Sequence, residues 1–257
     1  MLALNKVNVV FNAGTVNEVH ALKDLGLFLE EGDFVVVIGG NGSGKSTMLN
    51  AVSGTYMPDS GKMVLDNKDI TFMSEHARAK YVGRVFQDPM RGTAPDMTIE
   101  ENLALAQRRG KRRTFRRAIK SAERDHFRQL LSRLNLGLED RLNSRIGLLS
   151  GGQRQAITLL MATLQKPKVL LLDEHTAALD PKTAAKVLEI SVDLIEENYL
   201  TTLMVTHNMA DAIEYGNRLV LMREGEIIFE ATGQQKANLT VPELVDKFIS
   251  AGVEVQV

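Results

Sequence analysis

Short apolar runs alternate with amphipathic stretches along most of this chain. The clearest run is FVVVI at residues 34–38, bounded by Gly32 and Gly39, which predicts a strand buried on both faces. Residues 168–173 (KVLLLD) and 201–205 predict two more buried strands of the kind found in parallel sheets. Residues 7–11 alternate weakly and predict a first strand. Residues 21–30 alternate with period two and predict a half-buried antiparallel one. Residues 62–65 and 81–86 add short strand candidates, and 218–222 with 226–230 flank the turn Arg223-Glu224-Gly225 as a hairpin.

Helices are predicted from Ser46 onward, from the capping box Thr98-Ile99-Glu100-Glu101 through Gln107, and over 116–134 and 151–164. Asp180 with Pro181 starts another through Glu197, and Thr240-Val241-Pro242-Glu243 caps a terminal one. The alternation of strand and helix predicts an α/β fold with a parallel-sheet core and an antiparallel β subdomain. The expected organisation is one domain over 1–257. Its core is 1–88 with 150–235, a charged helical subdomain is inserted at 89–149, and a C-terminal helix occupies 236–257.

Composition narrows the classes. With 31 basic and 32 acidic side chains the chain is not a polyelectrolyte binder as a whole. It has no cysteine, which excludes disulfides, thiolate metal sites and cysteine nucleophiles. The first residues lack a signal-peptide pattern, and no apolar run reaches bilayer length, so a membrane role is expected to come through a partner.

The candidate chemistry centres on Gly39-Gly40-Asn41-Gly42-Ser43-Gly44-Lys45-Ser46-Thr47, placed between a buried strand and a helix. Four of the six residues from Gly39 to Gly44 lack a side chain, so successive amides can close around an anion. The following helix end adds its positive pole. In this G-x-x-x-x-G-K-[ST] pattern Lys45 is expected to reach the β- and γ-phosphates and Ser46 to ligate Mg²⁺. Asp173 and Glu174 stand just past the end of a buried strand. Asp173 suits a Mg²⁺ shell, and Glu174 is placed to orient or deprotonate an attacking water. Ser150-Gly151-Gly152-Gln153 also reads as a capping box, but a cap does not call for two glycines in a first helical turn. Their presence is expected where a phosphate from another molecule approaches that helix end.

Taken in order, these motifs resemble the ATP-binding subunits of ABC transporters over nearly the whole chain. They are the phosphate loop at 39–47, the glutamine loop Val85-Phe86-Gln87-Asp88, the signature Leu149 to Gln153, the acidic strand end Asp173-Glu174, the loop Ala178-Leu179-Asp180, and Thr206-His207. The resemblance implies a P-loop NTPase (RecA-like) core and the cofactors ATP and Mg²⁺. It implies that Phe11 stacks on adenine, that Gln87 reaches Mg²⁺ or water and reports to a permease, and that His207 contacts the γ-phosphate. Ser46, Gln87 and Asp173 would be the metal ligands. Ser150 and Gly152, with their neighbours Gly151 and Gln153, would meet ATP held by a second subunit. Asp180 belongs to the same nucleotide-binding set. A second copy of the chain, or a paralogous ATPase subunit, would complete two sites.

His175 stands where the family pattern has proline, and Ala156 and Met161 stand where it has arginine. These departures resemble ATPases encoded with uptake systems for amino acids, aromatic ones among them. With no fused membrane helices and only a short tail after the hairpin, the expectation is a small stand-alone importer subunit. It would sit at the cytoplasmic face of the membrane with separate permease subunits and an extracytoplasmic solute-binding protein. The alternative is a soluble ABC ATPase for protein assembly or cell division. The interval from Lys45 to Asp173 is too short for a chromosome-type coiled-coil ATPase, and no specific nucleic-acid partner is expected. The basic run Arg108, Arg109, Lys111, Arg112, Arg113, Arg116, Arg117 and Lys120 reads as a solvated loop, an anionic-lipid contact or, with only Phe115 interleaved, a poor nucleic-acid site.

Overall fold

The computed structural model describes residues 1–111 and 119–250. In chain order the first elements are β1 (Leu2–Phe11), β2 (Val19–Leu29), β3 (Phe34–Gly39), α1 (Lys45–Ser53), β4 (Ser60–Leu65), β5 (Lys68–Asp69) and α2 (Glu75–Arg78). There follow β6 (Val82–Val85), α3 (Ile99–Gln107), α4 (Ser121–Ser132), a 3-10 turn (Ile146–Leu148), α5 (Gly151–Thr163), β7 (Val169–Asp173) and α6 (Pro181–Asn198). The last are β8 (Thr202–Val205), α7 (Met209–Glu214), β9 (Arg218–Arg223), β10 (Glu226–Thr232), α8 (Gly233–Ala237) and α9 (Val241–Ser250).

The chain forms two compact units. The first joins Met1–Arg78 to the chain from Tyr199 onward. It holds an antiparallel sheet in the order β2-β1-β4-β5 and the strand set β10-β9-β3-β8, in which β3 runs parallel to β8 and β9. Every residue of β3 is buried, as a strand covered on both faces requires. The second unit, Ala79–Asn198, contains the parallel pair β6–β7 with α3 to α6; α5 packs on both β6 and α6. Residues 89–149 contribute α3, α4 and the 3-10 turn to it.

β1 starts five residues earlier than the expected 7–11 strand. Its buried residues are Leu2 and Leu4 and then Val7 and Val9, so the inward phase flips midway. Lys6 at φ 47 and a register shift between Leu4 and Val7 account for the flip, because a bulge breaks the period that would reveal the strand. α4 starts at Ser121 rather than 116. Lys120 is extended, and its amide donates to Glu123 Oε2 at 2.9 Å, an N-terminal cap of the helix. Residues 116–118 of the expected helix, with Arg112, Arg113, Arg116 and Arg117, lie outside the described residues.

Two arginines of the basic run have structural work. Arg108 bonds Glu123 Oε1 and the Ala104 carbonyl, each at 2.9 Å. Arg109 donates to the carbonyls of Ala162, in the last turn of α5, and Gln165, just beyond it, and burial lowers its pKa. Lys111 and Lys120 are exposed.

Arg78 is the largest fully buried side chain of the first unit. Its guanidinium donates to four backbone groups: Ala51 O at 2.6 Å, Val52 O at 3.0 Å, Met73 O at 2.7 Å and Thr71 O at 2.9 Å. Two of these are carbonyls at the C-terminal end of α1, whose partial negative charge suits a cation. Burial pulls the Arg78 pKa down to about 10, leaving it protonated at neutral pH. Arg78→Met should keep the volume and take the guanidinium from all four acceptors, of which Ala51 O keeps the Gly54 amide. The expected loss is about 2–4 kcal/mol of unfolding free energy, read by urea denaturation with circular dichroism.

Candidate nucleotide-binding and hydrolysis site

In the first unit the chain leaves β3 at Gly39 and enters α1 at Lys45. Gly44, the residue before the helix, takes φ 100, and Gly42 takes φ 76. A Cβ on Gly44 would stand 2.6 Å from the Ala21 carbonyl, and one on Gly39 would stand 2.3 Å from the Met222 carbonyl. The loop is therefore threaded between β2 and the β9–β10 hairpin, where only glycine fits. Lys45 is 5% exposed and folds back over the loop. Its Nζ donates to Gly39 O at 2.8 Å and Gly40 O at 2.9 Å, with Ser43 Oγ at 3.5 Å. Ser46 and Asn41 are exposed, Thr47 is half-buried, and Ser43 is buried. A collar of glycine amides, a helix N-terminus and a lysine whose charge faces the loop form a site suited to phosphate.

The same unit carries Phe11 and His207. Phe11 stands edge-to-face against Tyr56 with ring centroids 5.2 Å apart, so an aromatic pair is present where a single stacking ring was expected. His207 is exposed in the loop before α7, whose N-cap is Asn208: its Oδ1 accepts from the Ala210 and Asp211 amides.

The second unit carries the other expected residues. β7 delivers Asp173 and Glu174, both half-buried. Arg84, on the neighbouring strand β6, places Nη2 3.1 Å from Asp173 Oδ2, and its guanidinium also lies over the Phe86 ring. Gln87 is exposed just beyond β6. Ser150 is the N-cap of α5. Its Oγ accepts from the Gln153 amide, while the Ser150 amide donates to Gln153 Oε1. Asp180 caps α6 through Thr183 N at 3.1 Å, and that hydrogen bonding with Thr183 holds its carboxyl below the usual range.

Three residues outside the sequence-derived set belong to this framework. Gln155 donates to the Phe86 carbonyl at 2.9 Å and so ties α5 to the loop bearing Gln87. Arg84 pairs with Asp173; a lone arginine in an apolar strand beside Phe86 was the available signal. His175 is fully buried against Ser191, and burial pushes its pKa down to about 4. The structure also gives Gly152 a reason internal to the chain. A Cβ there would lie 2.0 Å from Thr183 Cγ2 of α6, whereas Gly151 meets only Leu179 at 3.1 Å.

The fold and this glycine collar define an α/β protein of the P-loop nucleoside-triphosphatase class. The sequence profile described as ABC transporter matches residues 22–177, and the chain belongs to that family. It is an ABC-type ATP hydrolase. It is 45% identical over 226 residues to the tyrosine transport ATP-binding protein of Clostridioides difficile, covering 88% of this chain and 90% of that protein. The glutamine transport ATP-binding protein GlnQ of Geobacillus stearothermophilus is 31% identical, covering 97% of this chain and 98% of that one. Among solved structures, the dimeric post-hydrolysis state of an ATP-binding cassette bound to ADP and Pi superposes with a TM-score of 0.76 at 31% identity. That likeness covers 90% of this chain and 98% of the other. A nucleotide-free cassette from an ABC transporter gives 0.79 at 25% identity, covering 99% of each chain.

Gly152→Ala should lower stability by about 1–3 kcal/mol, the usual range for forcing an extra methyl into packed structure. Adding Thr183→Ala should recover most of that loss, while Gly151→Ala should cost less. Chemical denaturation of the four proteins checks this.

Proposed function

We propose that this chain is the ATP-binding and hydrolysing subunit of an import system, driving a separate membrane permease, with amino acids as the solute class. The observation carrying the reading is that one chain holds both halves of the machinery. The phosphate loop with its buried lysine lies in one unit, and the signature helix and acidic strand end lie in the other. Similarity to the tyrosine and glutamine transport ATP-binding proteins over nearly their whole length supports the solute class. Among the described residues no helix is long and apolar enough to cross a membrane. In this reading the chain attaches at the cytoplasmic face through permease subunits, which work with a solute-binding protein outside.

In this reading Lys45 and the amides of residues 39–44 hold the phosphates, Phe11 stacks on the base, and His207 contacts the γ-phosphate. Glu174 orients the attacking water and accepts its proton. Ser150 to Gln153 and Asp180 serve the ATP held by a partner copy, so two chains enclose two nucleotides in a C2-type pair. Ser46, Gln87 and Asp173 offer only oxygen donors with a single carboxylate. That set fits Mg²⁺, a hard cation that arrives with phosphate and keeps much of its water. Bound there, Mg²⁺ would neutralise β- and γ-phosphate oxygens.

Glu174→Gln should retain ATP binding, lose at least about 100-fold in hydrolysis and elute as an ATP-dependent dimer in size-exclusion chromatography. Lys45→Ala should lose nucleotide affinity instead. Parent turnover in Glu174→Gln would overturn the role of Glu174. Purification from membranes without any multi-span partner would favour a soluble assembly ATPase over a transporter.

A further inference from the structure

The corner after β7 contains a buried polar chain that the reading above does not use. Glu174 adopts φ 46, a left-handed conformation that a side chain disfavours and that persists only where the surroundings impose it. On the upstream side Arg84 engages Asp173. On the downstream side His175, 2% exposed, places Nε2 2.8 Å from Ser191 Oγ. Ser191 Oγ has one proton, and it lies 2.7 Å from the Val187 carbonyl, to which it donates. The hydroxyl can then only accept from the ring, so His175 carries a hydrogen on Nε2.

Ser191 and Val187 belong to the buried face of α6. The relay therefore runs from the residue beside Glu174 into the third turn of the helix that Asp180 caps. The chain between them is closed by turns, Ala177 N to Glu174 O at 3.0 Å and Leu179 N to Thr176 O at 3.1 Å. The left-handed corner thus has a short, hydrogen-bonded path to a rigid helix, and His175 is a buried side-chain anchor on that helix.

We infer that His175 is a positioning residue for Glu174: through Ser191 it fastens the corner to α6 and sets where the Glu174 carboxylate stands during hydrolysis. The inference rests on the proposed role of Glu174. His175 touches no substrate itself, so its effect should fall on turnover rather than on ATP affinity.

The test compares His175→Leu, which fills the space without a donor, Ser191→Ala, which removes the acceptor together with the hydroxyl's bond to the Val187 carbonyl, their double variant, and His175→Gln, whose side-chain amide can donate as Nε2–H does. Steady-state ATPase kinetics, ATP affinity and thermal melting are measured for each. His175→Leu and Ser191→Ala should lose about tenfold or more in kcat, with KM for ATP held within about twofold. The double variant should be no worse than the weaker single, because both cut one relay. His175→Gln should recover most of the turnover.

Parent kcat in both single variants, multiplicative losses in the double, or equal losses in kcat and ATP affinity would overturn the inference. Should His175→Leu fail to fold, Ser191→Ala decides alone. Glu174→Gln, assayed beside them, separates the two readings. If it loses turnover while His175→Leu and Ser191→Ala keep theirs, only the His175 inference falls. If it keeps turnover, the Glu174 reading falls and takes the inference with it.

Discussion

A lysine ammonium that is 5% exposed has to be surrounded by acceptors, and much of the first unit is arranged to provide them. Lys45 finds the carbonyls of Gly39 and Gly40 because the loop doubles back over its own helix start. That path needs glycine at Gly39 and Gly44, where the walls are main-chain carbonyls of Met222 and Ala21. The walls are themselves bonded together. Gly225 N donates to Ser43 O, and Lys23 N donates to Gly225 O. A loop nine residues long in sequence is thus shaped by β2 and by a hairpin about 180 residues downstream. Local sequence reveals the anion site; the tertiary contacts make it stiff.

A second regularity links both units. Three helices that begin beside motif residues are each held at the far end by a buried or half-buried cation from elsewhere. Arg78 bonds carbonyls in the last turn of α1, Arg109 those of Ala162 and Gln165 at the end of α5, and Lys236 those of Ile213 and Tyr215 at the end of α7. In all three cases burial lowers the cation's pKa, and the carbonyl ends supply the compensating partial charge in place of a carboxylate. A helix whose positive end faces a ligand gains from having its negative end neutralised by the protein. Each cation stabilises its helix from the end opposite the motif residues.

What sequence reveals follows from this division. β3, β7 and β8 were legible because an uninterrupted apolar run has few alternatives. The motif residues were legible because their spacing carries chemistry. The start of β1 was not, since a bulge at Lys6 reverses the inward phase, nor were the short helices α2, α7 and α8, which have too few turns to display a period. The cations were hardest. Arg109 lies inside a basic run that reads as solvated surface, and nothing local separates Arg78 from any exposed arginine. Gly152 was read through a ligand, and the structure adds a close approach of α5 to α6 that no local pattern announces.

The exposed and buried polar residues therefore do different work. Ser46, Gln87, Ser150, Asp180 and His207 are exposed, as the proposed contacts with a nucleotide or a partner would require. Arg78, Gln155, His175 and Ser191 are buried and bond to the main chain or to one another. A buried hydrogen bond with one partner removed leaves the other desolvated and unpaired, so these positions are intolerant in a way the exposed ones are not. The second unit shows why that intolerance is useful. Asp173 and Glu174 stand at the end of a strand, and a carboxylate on a loose corner would sample many positions. Arg84 before the corner and His175 after it restrict that freedom from opposite sides in sequence, while α6 supplies the rigid body to which the corner is tied.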